Sequence, residues 1–245
     1  MVSKFYSRIS RYIRFLILVL VVLILARPQL IQVEKEISSK GIDIMLVLDT
    51  SRSMAAEDFK PQNRLMVAKE TIREFIGQRT TDRLGLVVFG GDAFTQCPLT
   101  TDYKVLLNFF EDIDFNMAGN GTAIGTSIAT ALNRLKDSKS KSKIIILLTD
   151  GENNSGEIDP IKAAELANTL GVKIYTIGVG QEGGAPVPYM HPVYGKIYSD
   201  QLTYLDEKTL TEVASITKGF YFRAKDAESL KNIYEKIEKI FKGKF

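Results

Sequence analysis

The stretch IDIMLVLDTSRSMAAED, Ile42 to Asp58, constrains the fold more than any other part of this chain. Its apolar core, Ile44 to Leu48, is rich in branched side chains and too short for a globular helix. It reads as a strand buried on both faces, which is the position of a central strand in a parallel sheet covered by helices. The run stops at Asp49, and hydroxyls follow at Ser51 and Ser53. An acidic residue with hydroxyls two and four positions later, at the end of a buried strand, has the makings of an oxygen ligand set for a hard cation.

The rest of the body repeats the alternation. Strands are expected at Ile42 to Leu48, Leu84 to Phe89, Ala93 to Pro98, Ile144 to Thr149, Val172 to Val179 and Gly219 to Arg223. Amphipathic helices are expected between them, near 62–78, 102–112, 123–136, 160–170, 206–217 and 227–242. This order predicts an α/β fold: a Rossmann-like, doubly wound, mostly parallel six-stranded sheet with helices on both faces. The segment FGGDAF turns Phe89 back towards Phe94, so the third strand is expected to be an antiparallel edge strand. In DPIKAAELANTLG, Asp159 reads as an N-cap, Pro160 as the first helical residue and Gly171 as the C-cap. Leu230, Ile233, Tyr234, Ile237, Ile240 and Phe241 form one stripe, the packing face of the last helix.

Charge separates the N-terminus from this body. Of the 32 Lys and Arg residues, Lys4, Arg8, Arg11, Arg14 and Arg27 precede the first acidic residue, Glu34; the remaining 27 face 29 Asp and Glu, a net of −2. The overall charge of +3 is therefore no footprint for nucleic acid. Phe15 to Ala26 is continuously apolar, 12 residues between Arg14 and Arg27. That is short for a span, which takes ~17 to 25 residues. A signal-peptide core fits the length, but ILARPQ offers no small-x-small cleavage site. A buried soluble helix also fits the length, though helices apolar all round are rare in a domain of this size. A signal anchor over residues 12–27 fits best, with Arg14 reaching to the headgroups. The basic segment 1–11 then stays cytoplasmic and the body is periplasmic or external, a single-pass inner-membrane arrangement. Residues 28–41 read as a linker and 42–242 as the domain. The single cysteine, Cys97, excludes an intrachain disulfide and reads as a small core residue, and a lone His191 makes a His-based zinc site improbable.

Two further stretches reach the carboxyl edge of such a sheet, where ligands of open α/β sheets collect. GNGTAIG places Thr122 just before a helix, and IIILLTDGENN ends its strand at Asp150. Taken alone, D-x-S-x-S is a weak signal, because turns are rich in Ser and Asp. Two strand-end aspartates with a threonine in a glycine loop, in this order, make Asp49, Ser51, Ser53, Thr122 and Asp150 the candidate metal residues.

DTSRSM, GNGTAIG and LLTDGE resemble the metal-ion-dependent adhesion site (MIDAS) of von Willebrand factor type A (VWA) domains over about residues 42–242. The segments AEDFKPQNRLMVAKE, GLVVFGGDAFTQCPLT and YTIGVGQEGGAP are similar to Bat-type (aerotolerance-related, BatA-like) bacterial membrane proteins. The resemblance implies an ion, Mg²⁺ or alternatively Mn²⁺ or Ca²⁺, held directly by Ser51 and Ser53, largely through water by Asp49 and Asp150, and either way by Thr122. It also implies a non-enzymatic binding module whose ion takes an acidic residue of a protein partner. By the same resemblance, other Bat proteins and a MoxR-type AAA+ ATPase system are its pathway partners, in envelope stress tolerance or complex maturation. Two departures stand out. Arg52 occupies the position between the serines where glycine is usual. The further membrane segments that commonly flank such domains are not in this sequence, the pattern expected of a fragment or a short paralogue.

Two other functions share these residues. A Mg²⁺-dependent hydrolase or phosphotransferase would use Asp49 as nucleophile, but there is no P-loop, no second aspartate two residues after Asp49 and no evident general base. A chelatase or adhesin subunit would differ only in its partner. The long connection Gln181 to Asp200, with Tyr189, His191, Tyr194 and Tyr198, reads either as a plain exposed hairpin or as the rim that selects a partner, with Arg52 and Glu57 the next candidates.

Overall fold

The computed structural model describes residues 2–25, 41–181, 185–191, 193–199 and 205–243. The chain divides into two compact units, Met1–Ser38 and Ser39–Phe245. In the first, helix α1 runs Val2–Leu25. The apolar side chains from Tyr12 to Val22, with Ile24 and Leu25, are exposed. No helix among the described residues is long and apolar enough to cross a membrane. The physical reason lies in α1 itself: Arg8, Arg11 and Arg14 interrupt its first half, so its uninterrupted apolar run begins only at Phe15. The end of the expected anchor, residues 26–27, and the expected linker up to residue 40 lie outside the described residues.

The second unit carries strands β1 (Asp43–Asp49), β2 (Arg83–Phe89), β3 (Ala93–Thr100), β4 (Lys143–Thr149), β5 (Val172–Val179), β6 (Val187–His191), β7 (Gly195–Ser199) and β8 (Tyr221–Ala224). Its helices are α2 (Arg64–Gly77), α3 (Tyr103–Glu111), α4 (Ile124–Leu135), α5 (Pro160–Thr169), α6 (Glu207–Ile216) and α7 (Ala227–Lys242). Six strands form one sheet in the order β3-β2-β1-β4-β5-β8. All neighbours are parallel except β2 and β3, so the antiparallel edge strand stands where the glycine turn placed it.

The unbroken apolar run of β1 is explained by its two buried faces. Ile44, Leu46 and Leu48 pack with Ile72 and Phe75 of α2, Phe110 of α3 and Ile237 of α7. Met45 and Val47 point the other way, to Ile128 of α4, Ala164 of α5 and Leu210 of α6. Each such side chain stabilises the fold by about 1.5–3 kcal/mol on burial. Cys97 is buried in the first of these cores.

Local signals position the helices. Asp159 accepts from the backbone N–H groups of Ile161 and Lys162, with Pro160 next. The cap at the other end is Leu170, one residue before the expected Gly171, which follows it at φ +66°. The last strand begins at Tyr221, two residues later than expected, because Gly219 lies against β5: a Cβ there would stand 1.9 Å from the Ile174 carbonyl oxygen. One element was not foreseen: a 3-10 turn, Arg52–Ala55, follows β1. The Gln181–Asp200 connection, read as a hairpin or as a partner-selecting rim, holds an antiparallel hairpin, β6 with β7, separate from the main sheet.

Candidate metal centre

Strand order places the site. The chain leaves β1 for β2 on one side, and β4 returns on the other, so the crevice between the carboxyl ends of β1 and β4 is the switch point of the sheet. Leu48 pairs with Leu148, which sets Asp49 level with Thr149 and Asp150 one residue beyond. Both aspartates are buried. Thr149 Oγ1 donates to Asp49 Oδ2 at 2.6 Å, and the Ser51 backbone N–H donates to Asp49 Oδ1 at 2.8 Å. Ser51 and Ser53 flank Arg52 at the start of the 3-10 turn, and this tight winding brings their hydroxyls to 3.0 Å. Ser53 Oγ in turn donates to Asp150 Oδ1 at 2.6 Å. The chain Asp49–Ser51–Ser53–Asp150 is thus closed by contacts across nearly 100 residues of sequence.

Thr122 arrives from the loop before α4. Its hydroxyl lies against Gly151, where a Cβ would stand 3.1 Å from Thr122 Oγ1. Two asparagines of the loop after β4 hold it there. The Thr122 N–H donates to Asn154 Oδ1 at 2.9 Å, and the Ile124 N–H donates to Asn153 Oδ1 at 2.8 Å. Gly121, at φ +109°, is required by both conformation and space, since a Cβ would meet Ser155 Oγ at 2.1 Å. All five sequence-predicted residues therefore gather at one edge of the sheet.

The family model for the von Willebrand factor type A domain matches residues 43–236. The chain belongs to this family. A VWA chain of this kind has relatives in several bacteria. It is 38% identical over 213 residues to an uncharacterized protein of Borreliella burgdorferi, covering 86% of this chain and 62% of the relative's length. Among solved structures, the conserved hypothetical protein BatB from Bacteroides thetaiotaomicron aligns with a TM-score of 0.72 at 34% identity, over 82% of this chain and all of that one. An aerotolerance-related membrane protein from Bacteroides fragilis aligns with a TM-score of 0.70 at 33% identity, over 80% of this chain and 98% of that one. The resemblance to Bat-type VWA proteins is borne out. At the level of fold alone, proximal thread matrix protein 1 from the mussel byssus, described with a zinc-occupied MIDAS motif, has a TM-score of 0.61 at 22% identity; it covers 83% of this chain and 46% of that one.

The electrostatics of the VWA site are uneven. Asp150 Oδ2 accepts from Arg64 Nη1 at 2.7 Å, and the same guanidinium binds Asp58 through Nε and Nη2 at 2.8 and 2.6 Å. Asp49 is met by neutral donors only. Burial, then the negative charge of Asp150, pushes the Asp49 carboxyl up to about 7. Burial also raises Asp150, with Arg64 the chief opposing influence. Two buried carboxylates and three hydroxyls, with one guanidinium shared between Asp150 and Asp58, form an oxygen-only donor set that fits a hard divalent ion. Among the described residues no three His, Cys, Asp or Glu side chains stand so that they could hold a metal ion by themselves, so hydroxyls must complete any such shell.

Several residues that build the site were not singled out from sequence: Thr149, Arg64, Asp58, Asn153 and Asn154. Arg64 did leave a signal. It opens α2, where the positive end of the helix dipole disfavours a cation, so an arginine there asks for a carboxylate partner. Arg52 is exposed and lies over the Tyr189 ring, 5.8 Å from its centroid. Beside it, Glu57 accepts from Lys196 Nζ at 2.6 Å and Tyr198 Oη at 3.0 Å, clipping the β6–β7 hairpin to the 3-10 turn. Ala56 is buried against Ala185 and Val187 at the hairpin's base. Val193 and Tyr194 stand out at its tip, the tyrosine 4.9 Å from His191 between ring centroids.

Proposed function

We propose that this chain is a membrane-associated protein-interaction domain that binds a divalent ion, Mg²⁺ or alternatively Mn²⁺ or Ca²⁺, through Asp49, Ser51, Ser53, Thr122 and Asp150. The observation that carries the reading is the pair of buried carboxylates on adjacent strand ends, one of them with no cationic partner, joined by two serine hydroxyls. A bound ion supplies an electrophilic position that takes a carboxylate oxygen from a partner protein. The residues of this chain prepare that position: Thr149 and the Ser51 N–H orient Asp49, Ser53 orients Asp150, and Asn154 fixes Thr122. The zinc described in the MIDAS motif of the mussel protein, which shares this fold, supports a divalent ion.

Binding is favoured over phosphoryl transfer by the state of Asp49. Its carboxylate is buried and both oxygens accept hydrogen bonds, a poor arrangement for in-line nucleophilic attack. The partners we propose are an acidic protein of the envelope, other Bat proteins and a MoxR-type ATPase system. Their support is the resemblance to Bat proteins, and the chain spans 62% of the length of its Borreliella relative. Membrane association through the 12–27 segment, with the domain outside the cytoplasm, is supported by the exposed apolar face of α1 and by the relative described as a membrane protein.

Calorimetry on the full chain tests the ion. Wild type is expected to bind Mg²⁺ or Mn²⁺, and Asp49→Ala to lose at least about a hundredfold in affinity, or ~2.7 kcal/mol. Equal binding by the two would sink the assignment. A reporter fused after Phe245 is expected to be active only outside the cytoplasm; activity inside would reverse the proposed topology.

A further inference from the structure

Arg64 is among the largest fully buried side chains of the protein, with 1% of its surface exposed. A guanidinium taken out of water is retained only where carboxylates meet it with good geometry. Here they do so on two sides, Asp58 with a bidentate fork and Asp150 with a single bond from Nη1. The end of β5 closes over the group. Gly180, at φ +132°, lies against it, and a Cβ there would stand 2.8 Å from Nη2. Asp58 is held independently, its Oδ2 accepting from the Gln181 N–H at 3.2 Å. Arg64 therefore keeps a full carboxylate partner even when Asp150 turns elsewhere. Asp150, by contrast, divides its two oxygens between Arg64 and Ser53, while Asp49 across the crevice has neutral donors alone.

We propose that Arg64 is a tethered counter-ion for Asp150, which holds the site in shape without a metal and competes with the divalent ion for that carboxylate. This rests on reading the Asp49–Asp150 crevice as the ion site. The physical basis is that two cations on one carboxylate in a poorly screened interior repel each other. Whatever Arg64 contributes to the metal-free site is subtracted from the affinity for the ion, and the coupling is reciprocal. The fork to Asp58 makes the exchange feasible, because Arg64 need not leave its pocket to release Asp150. Arg64 is in this sense a positioning residue that sets affinity without touching the ion.

The test is a comparison of thermal melts of the full chain in Mg²⁺ and in EDTA, for wild type, Arg64→Gln and the double variant Asp58→Asn/Arg64→Gln. The double variant removes both charges of the fork and so guards against simple misfolding. The rise in Tm on adding Mg²⁺ is expected to be larger in both variants than in wild type, and calorimetric Mg²⁺ affinity to be about fivefold or more tighter. A variant folded only in Mg²⁺ would be the same result in stronger form. A packing role alone would lower Tm equally in both conditions and leave the Mg²⁺ increment unchanged, which would overturn the proposal. So would failure of both variants to fold at any Mg²⁺ concentration, since the ion would then be unable to replace the guanidinium. Absence of any Mg²⁺ response in wild type would remove the ion site itself and this proposal with it, a result distinguishable from wild type responding and the variants responding no more.

Discussion

Strand β1 begins and ends with a buried aspartate, and the two are treated in opposite ways. Asp43, at the amino edge, accepts from Arg83 Nε at 2.8 Å, from a second Arg83 nitrogen and from the Ser138 hydroxyl. Asp49, at the carboxyl edge, is equally buried but meets only neutral donors, from Thr149 and Ser51. At the first end a guanidinium neutralises the charge and the ion pair ties β1 to β2. At the second end the charge is left without a cation, in a crevice of hydroxyls, and burial makes it costly. The same residue type, at the two ends of one seven-residue strand, serves the fold at one end and stands without a cationic partner at the other.

The largest expected consequence is a pH dependence confined to the Asp49 end. Its folded value of about 7 lies above the ordinary 3.8, so between these values the native state binds more protons than the unfolded state. The Asp49 contribution to the stability of the metal-free protein should therefore be fully present below about pH 4, fall as pH rises towards 7, and level off above. The fall is up to about 4 kcal/mol. Urea melts in EDTA at pH 4 to 8 measure it, and Asp49→Asn should reduce the slope to what the buried Asp150 carboxyl contributes, as should saturating Mg²⁺. A slope undiminished in Asp49→Asn would place the titration elsewhere. Asp43→Ala is the contrasting control. It should lower stability at all these pH values by about 2 kcal/mol, less than a fully buried pair because Arg83 is partly exposed, and leave the slope in place.

How much of this was legible beforehand follows from the range of the interactions. The strands could be read because β1, β4 and β5 are covered on both faces and show as apolar runs; the prediction for Val172 to Val179 matches β5 in full. The gathering of the candidate metal residues could be read because Asp49, Ser51 and Ser53 lie within one turn of chain, and Thr122 and Asp150 stand at recognisable element boundaries. Arg64 and Thr149 could not be placed, since their bonds join residues 86 and 100 positions apart and depend on which strands are neighbours. A hairpin was one of the two readings of the Gln181–Asp200 connection, but its prolines and glycines left the strand bounds of β6 and β7 unread. Its pairing is supported by contacts to the 3-10 turn, through Glu57 and Ala56, that no local pattern records.

That hairpin extends the contrast between the two ends of β1, because it borders the end where charge is left uncompensated. Its base is tied down by Val187, Ala185, Lys196 and Tyr198, whereas Val193 and Tyr194 at the tip are 79% and 76% exposed. Exposed apolar and aromatic groups beside the proposed site for an acidic partner are suited to grip that partner's neighbouring residues. The double substitution Val193→Ser/Tyr194→Ala touches neither the base nor the proposed ion ligands. It should leave Mg²⁺ affinity and Tm unchanged while weakening EDTA-sensitive capture of envelope proteins by about tenfold, or ~1.4 kcal/mol. Capture that stays EDTA-sensitive and undiminished in this variant would move partner choice to Arg52, which lies over Tyr189 on the inner side of the same hairpin. Arg52→Gly would then be the substitution to reduce capture, by removing an exposed cation that attracts acidic chains towards the Asp49 end of the strand.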